Sequence, residues 1–277
     1  MSINFNEILK SISNKSELLV TFAFRESMIR STIEAFRPPQ GSIGLDAGCG
    51  IGLPALLLAE KTGTTGYVTG LDLSLEALTL AEELTKKVNF SERVSFQKSD
   101  IRNLPFKDST FDWVWSMDCA GYAPLDPISL LLEFKRVVKP GGTIAIIAWS
   151  SENLLPGYPL LEARLRATAS GLAPFTKGQE PDRHFLSALG WFKEIGLEKQ
   201  TAKTFAGNLH APLSQVEKDS LTALFKMRWN GIEKELSSRD YSDYQRLCLE
   251  ESPEFIVYQP DYYAFFTYSM FMGRVPN

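Results

Sequence analysis

Residues 44–52 read Gly44-Leu45-Asp46-Ala47-Gly48-Cys49-Gly50-Ile51-Gly52. A short apolar run from Ile43 to Ala47 leads straight into these glycines. Pro54 to Glu60 then reads as a helix, because proline is tolerated in a first turn. Glycines at such a strand-to-helix turn let the backbone approach a ligand without a Cβ clash. The helix N-terminus adds exposed N–H groups and partial positive charge. The spacing is Gly48-x-Gly50-x-Gly52, with Leu53 where a dinucleotide fingerprint would put its last glycine. Asp46 sits at the strand end. A carboxylate there repels a pyrophosphate but can hold a cationic amine, directly or through water.

The same rhythm continues outward. Tyr67 to Leu71 is a second strand ending at Asp72, and Ser74 caps a helix to about Val88 with Leu78, Ala81, Leu84 and Val88 on one face. Val94 to Gln97 and Phe111 to Ser116 are third and fourth strands. Ile128 to Val138 is a helix, Lys139-Pro140-Gly141-Gly142 a tight turn and Thr143 to Trp149 a fifth strand. Such alternation predicts an α/β fold, a doubly wound and mostly parallel sheet covered on both faces. Asp72 falls where an acid can take both ribose hydroxyls, and the third strand leads to Ser99-Asp100-Ile101. Asp100 can accept from an exocyclic adenine amine and Ile101 can pack on the ring. Three neighbouring strand ends thus carry an acid, where open α/β sheets bind ligands. S-adenosylmethionine suits them: it offers an ammonium and a sulfonium and has no phosphate.

These segments resemble the class I S-adenosylmethionine-dependent methyltransferases, and within them the subgroup similar to ubiquinone and menaquinone biosynthesis methyltransferases. The residues that carry the resemblance are GLDAGCGIG at 44–52, GLDLS at 70–74, SDI at 99–101, FDWVWSMDCAGY at 111–122 and FKRVVKPGGTIAIIAWS at 134–150. The resemblance implies a seven-stranded sheet in the order 3-2-1-4-5-7-6, with strand seven antiparallel and helical cap insertions. It implies Asp46, Ala47, Gly48 and Gly50 along the methionine part of the cofactor, Asp72 on the ribose and Leu73 beside the adenine. It places Asp100 on the adenine amine, Ile101 on the adenine face and main-chain atoms near Met117 beneath the methionine amine. Ser116-Met117-Asp118-Cys119 lacks the prolines of the nucleic-acid amine methylators, and the cysteine array of the arsenic methylators is missing too.

Around this core, residues 16–37 form an amphipathic helix with Leu18, Phe22, Ile29, Ile33 and Phe36 at helical spacing, stopped by Pro38 and Pro39. Arg25 falls on its apolar side, so its charge needs a partner. The cofactor's carboxylate, a structural ion pair or a snorkelling stem would each serve. After Ser150 the rhythm breaks. Residues 152–183 are richer in glycine and proline and supply part of a cap. A helix is expected from His184 to Ile195, a sixth strand from Leu197 to Phe205, and a helical stretch over 214–250. Tyr262 to Met272 reads as a final buried strand. The expected organisation is a helical segment over 1–40 covering the cofactor site, a binding core over 41–150, and the end of the sheet with helical caps over 151–277. Together they make one structural domain.

Composition narrows the rest. The chain has 277 residues and a net charge of −4. That argues against phosphate-led nucleic-acid binding, which wants a basic face. Cys49, Cys119 and Cys248 lie far apart, and the only histidines are His184 and His210, so no metal site is expected. The start of the chain has no long apolar run and no stretch reaches membrane-helix length, which reads as cytoplasmic.

A small, partly apolar acceptor is expected, with Trp149, Tyr158, Phe175, Trp191 and Trp229 available to line its pocket. Direct displacement on an activated methyl group asks mainly for alignment and exclusion of water. No catalytic residue is therefore required, and Asp118, Tyr122 and His184 stand as candidates for an acceptor-side role. Two other readings compete: a nicotinamide-dependent oxidoreductase, disfavoured by Asp46 and the missing GxGxxG, and a non-catalytic protein that binds S-adenosylmethionine.

Overall fold

The computed structural model describes Ile3, Ile8 and residues 17–122, 126–175 and 181–277. A seven-stranded sheet in the order β3-β2-β1-β4-β5-β7-β6 organises the fold. Its parallel part comprises β1 (Ile43–Ala47), β2 (Tyr67–Asp72), β3 (Val94–Lys98), β4 (Phe111–Met117) and β5 (Val138–Asn153). β6 (Glu198–His210) and β7 (Tyr263–Arg274) close one edge, with β7 antiparallel to both neighbours. The expected strand order and the antiparallel seventh strand are both present.

Side-chain alternation along β4 shows why both faces are covered. Trp113 and Trp115 point into one apolar layer together with Ala145 and Ile147 of β5. Helices α1 (Glu17–Phe36), α2 (Leu53–Thr62) and α8 (Gln215–Arg228) close that layer. Val114 points into the opposite layer with Leu45, Ile144 and Ile146, covered by α4 (Pro127–Val137) and α7 (Ala188–Glu194). α3 (Leu75–Lys87) starts on Ser74, whose side chain accepts from the Ala77 N–H, and α4 starts on Asp126, which accepts from the Ser129 N–H. Among the described residues no helix is long and apolar enough to cross a membrane.

Several local expectations change. Lys139-Pro140-Gly141-Gly142 is not a free turn: it lies inside β5, because the Gly141 N–H donates to Val275 and the Val275 N–H to Gly142. The helix expected from His184 splits into a 3₁₀ turn at Phe185–Ser187 and then α7. The 214–250 stretch is two helices, α8 and α9 (Ser238–Cys248). Leu18 is exposed and Leu19 takes its place in the core. Within the cap, α5 (Pro159–Arg166) and α6 (Ala169–Leu172) follow β5. Trp191 and Trp229 are core residues, and Tyr158 lies exposed under the Arg246 guanidinium.

Candidate functional site

β1 delivers Asp46 and then turns through Gly48, Gly50 and Gly52, with φ of 81°, 52° and 76°. All three lie in the left-handed region that side chains avoid. The N–H groups of Gly48 and Cys49 both donate to the Leu71 carbonyl at 2.8 Å, which pins the turn to the end of β2. A Cβ built on Gly48 would sit 2.2 Å from Cys119 Sγ, whereas one on Gly50 would meet nothing within 4 Å. The Gly50 side of the turn therefore faces open space.

Asp46 is buried, and its Oδ2 has no hydrogen-bond partner. Burial pushes its carboxyl up to about 8, with the Asp72 charge adding to the effect and the Ala55 N–H opposing it. A buried acid with a free oxygen beside an open glycine turn is a place for a cation. Asp72 is held at the rim: its Oδ2 accepts from the Gly50 N–H at 2.8 Å and its Oδ1 from the Ser74 N–H at 2.9 Å. Leu73 beside it is exposed, and Met117 and Ile101 are buried. Asp100 is engaged by its neighbour: both its oxygens accept from Arg102, which pulls its carboxyl below the usual range. This glycine–acid arrangement fits the methionine amine and ribose that S-adenosylmethionine would bring.

Next to the glycine turn, Asp118 follows the end of β4, with a φ of 49° that is uncommon for a residue with a side chain. Its carboxylate gathers three elements. Oδ1 accepts from the Tyr122 hydroxyl at 2.7 Å and the Trp149 N–H at 2.9 Å. Oδ2 accepts from the Tyr268 hydroxyl at 2.7 Å. The Arg25 Nη1 lies 3.6 Å from the same oxygen and donates to Tyr268 Oη at 2.9 Å. The partner that Arg25 required is thus supplied by Asp118 and Tyr268. Burial and the Asp118 charge push the Tyr122 hydroxyl up, so it stays protonated and donating.

Tyr122 also lines a cavity of about 290 Å³ with Trp149, Phe175 and His184. Its ring meets Phe175 edge-on at 5.6 Å, and Phe175 stacks on His184 at 4.6 Å. His184 Nδ1 accepts from the Leu186 N–H at 3.3 Å. Burial lowers its affinity for a proton, so the ring is neutral with its hydrogen on Nε2. That tautomer donates from Nε2 while Nδ1 caps the following 3₁₀ turn. The far end of the cavity holds Glu152, Arg166 and Arg228. Sequence reasoning missed these three and Tyr268. The one available signal was Tyr268's place on the buried alternation of β7, since a buried tyrosine hydroxyl must find a partner.

Residues 45–146 match the family described as "Methyltransferase domain". The demethylmenaquinone methyltransferase of Lysinibacillus sphaericus is 30% identical over 223 residues, covering 74% of this chain and 92% of that one. The methyltransferase GfsG of Streptomyces halstedii is 36% identical over 121 residues, but this match spans only 44% of the chain and 42% of GfsG. Among solved structures, YcgJ from Bacillus subtilis superposes with a TM-score of 0.53 at 17% identity, covering 91% of this chain and 99% of that one.

Proposed function

The chain belongs to the class I S-adenosylmethionine-dependent methyltransferases of the ubiquinone and menaquinone type, and from that premise we propose how its residues divide the work. Asp46, Ala47, Gly48 and Gly50 border the methionine part of the cofactor, with main-chain atoms near Met117 beneath the amine. Asp72 takes the ribose and Leu73 lies beside the adenine. Ile101 packs on the adenine face, and Asp100 meets the adenine amine with the lone pairs that Arg102 leaves. Bound S-adenosylmethionine supplies an activated methyl group, so the chain's own task is to bind, align and keep out water.

The cavity beyond Tyr122 receives a small, partly apolar acceptor. Asp118 holds Tyr122 and Trp149 at its mouth, and Arg25 enters as the tie that binds α1 to Asp118 and Tyr268. Of the three expected segments, the described residues 17–40 then cover the cofactor, 41–122 and 126–150 bind it, and 151–175 and 181–277 enclose the acceptor; most of 1–16 lies outside the described residues. Demethylmenaquinone, the acceptor in the name of one relative, belongs in the first panel of acceptors to try. The free thiols of Cys49, Cys119 and Cys248 suit a reducing cytoplasm.

The observation that carries this reading is the unsatisfied Asp46 oxygen beside the open glycine turn. Calorimetry tests it directly. Titration with S-adenosylmethionine should saturate and titration with NADH should give no heat. The reverse result would restore the nicotinamide reading. Conversion of the cofactor to S-adenosylhomocysteine with an acceptor panel then separates turnover from binding alone.

A further inference from the structure

The far end of the acceptor cavity shows its charges in a definite order. Glu152, Arg166 and Arg228 line it, and each takes part in an ion pair. Arg228 Nη2 lies 3.1 Å from Glu152 Oε2, with the arginine side chain 23% exposed and the glutamate 6%. Arg166 Nη2 lies 3.5 Å from Glu162 Oε1, with exposures of 37% and 1%. In both pairs the guanidinium is the more exposed partner, and the Arg166 partner Glu162 does not reach the cavity wall. Glu162 is further occupied by the N–H groups of Leu154 and Leu155. The charged side chains an incoming molecule meets are therefore two guanidinia and one carboxylate.

The unmet hydrogen-bonding capacity has the same sign. Arg166 Nε is a buried donor with no partner. His184, on the same cavity, carries its hydrogen on Nε2 as a second donor. The one acceptor without a hydrogen bond, Glu152 Oε2, already has the Arg228 charge beside it. Burial pushes the Glu152 carboxyl up, with the Arg228 charge opposing that shift. The walls are flat: the Arg228 guanidinium lies 5.4 Å over the Trp149 ring, and Tyr122 and Phe175 face the same space. A space of about 290 Å³ admits one or two fused rings and little more.

Resting on the methyltransferase reading, we propose that the acceptor is a small planar carboxylate, its ring beside the Tyr122–Phe175 pair and its carboxylate on Arg228 and Arg166. An ammonium acceptor would face two guanidinia against a single carboxylate already paired with Arg228. A neutral acceptor would leave the donors unmatched.

The test uses three probes of one shape, 2-naphthoate, 2-naphthylmethylamine and 2-naphthylmethanol, titrated calorimetrically into the full chain with and without S-adenosylmethionine. Naphthoate should bind at least about tenfold more tightly than either other probe, the discrimination expected of charge-assisted hydrogen bonds. Arg166→Gln and Arg228→Gln should each remove most of that preference, and Arg228→Lys should restore part of it. Arg166, the more exposed of the two, gives a reading even where a change at Arg228 prevents folding. A tighter amine, equal affinities, no binding of any probe, or folded glutamine variants that keep the preference would each overturn the proposal. The heat of S-adenosylmethionine is read separately. Its absence alongside a naphthoate preference removes the methyltransferase reading alone, and its presence without that preference removes the carboxylate inference alone.

Discussion

Replacing Asp46 by Asn should make the ligand-free protein more stable at alkaline pH while weakening its hold on the cofactor. The wild-type carboxyl is displaced from 3.8 to about 8, chiefly by burial. Between those values the folded chain keeps a proton that the unfolded chain has released. The contribution of this group to stability is therefore greatest below pH 4 and is lost as pH rises toward 8. At about 1.4 kcal/mol per pH unit the full displacement amounts to at most about 6 kcal/mol, of which about 4 kcal/mol falls between pH 5 and pH 8. Asn keeps the shape and cannot ionise, so its advantage over wild type should grow across that interval. Urea unfolding of both proteins without ligand at pH 5, 6, 7 and 8 measures it. The same physics links protons to ligand: a cationic amine beside Asp46 favours the ionised carboxyl, so binding below pH 8 should release a proton in wild type and none in the variant. Calorimetry in two buffers of different ionisation heat reads that release. Parallel stability curves for the two proteins, or proton release from the Asn variant, would refute the assignment of a buried, protonated Asp46 to the cation site.

The two glycines of the turn should differ. Gly48→Ala combines left-handed strain with a 2.2 Å approach to Cys119 Sγ, and Gly50→Ala has the strain alone, so thermal unfolding should place the first about 1–3 kcal/mol below the second. Gly50→Ala should nevertheless weaken cofactor binding, measured calorimetrically, because its Cβ would project into the open side of the turn. Tyr268→Phe takes one donor from Asp118 Oδ2, and urea unfolding should show a loss of about 1–3 kcal/mol. His184→Asn should leave a pH–rate profile between pH 5 and 8 unchanged in shape, since the neutral ring serves as a cap and donor. A lost ionisation in that profile would make it a base after all.

The glycine spacing, the acids at three strand ends and the alternation of strand and helix were enough to give a doubly wound, mostly parallel α/β sheet, because each is a local consequence of backbone permissiveness or side-chain period, whereas the strand order came with the family resemblance. Gly48, Gly50 and Asp46 could be recognised singly, since a positive φ and a strand-end acid leave marks in neighbouring residues. The acceptor end left no such marks. Asp118 meets Arg25 and Tyr268 only because β4 lies inside the sheet between β1 and β5 and α1 packs over the same edge. Glu152 meets Arg228 only because β5 runs on to Asn153 and α8 returns to cover it. Asp100, read from its motif as free for adenine, is in fact shared with Arg102, a contact that depends on side-chain rotamers within the loop. Composition and short-range pattern thus decided the fold and the cofactor turn. Which charge of a pair is the more exposed, and so what the cavity can accept, was decided by long-range packing, where burial of a carboxylate against a guanidinium depends on elements far apart in the chain.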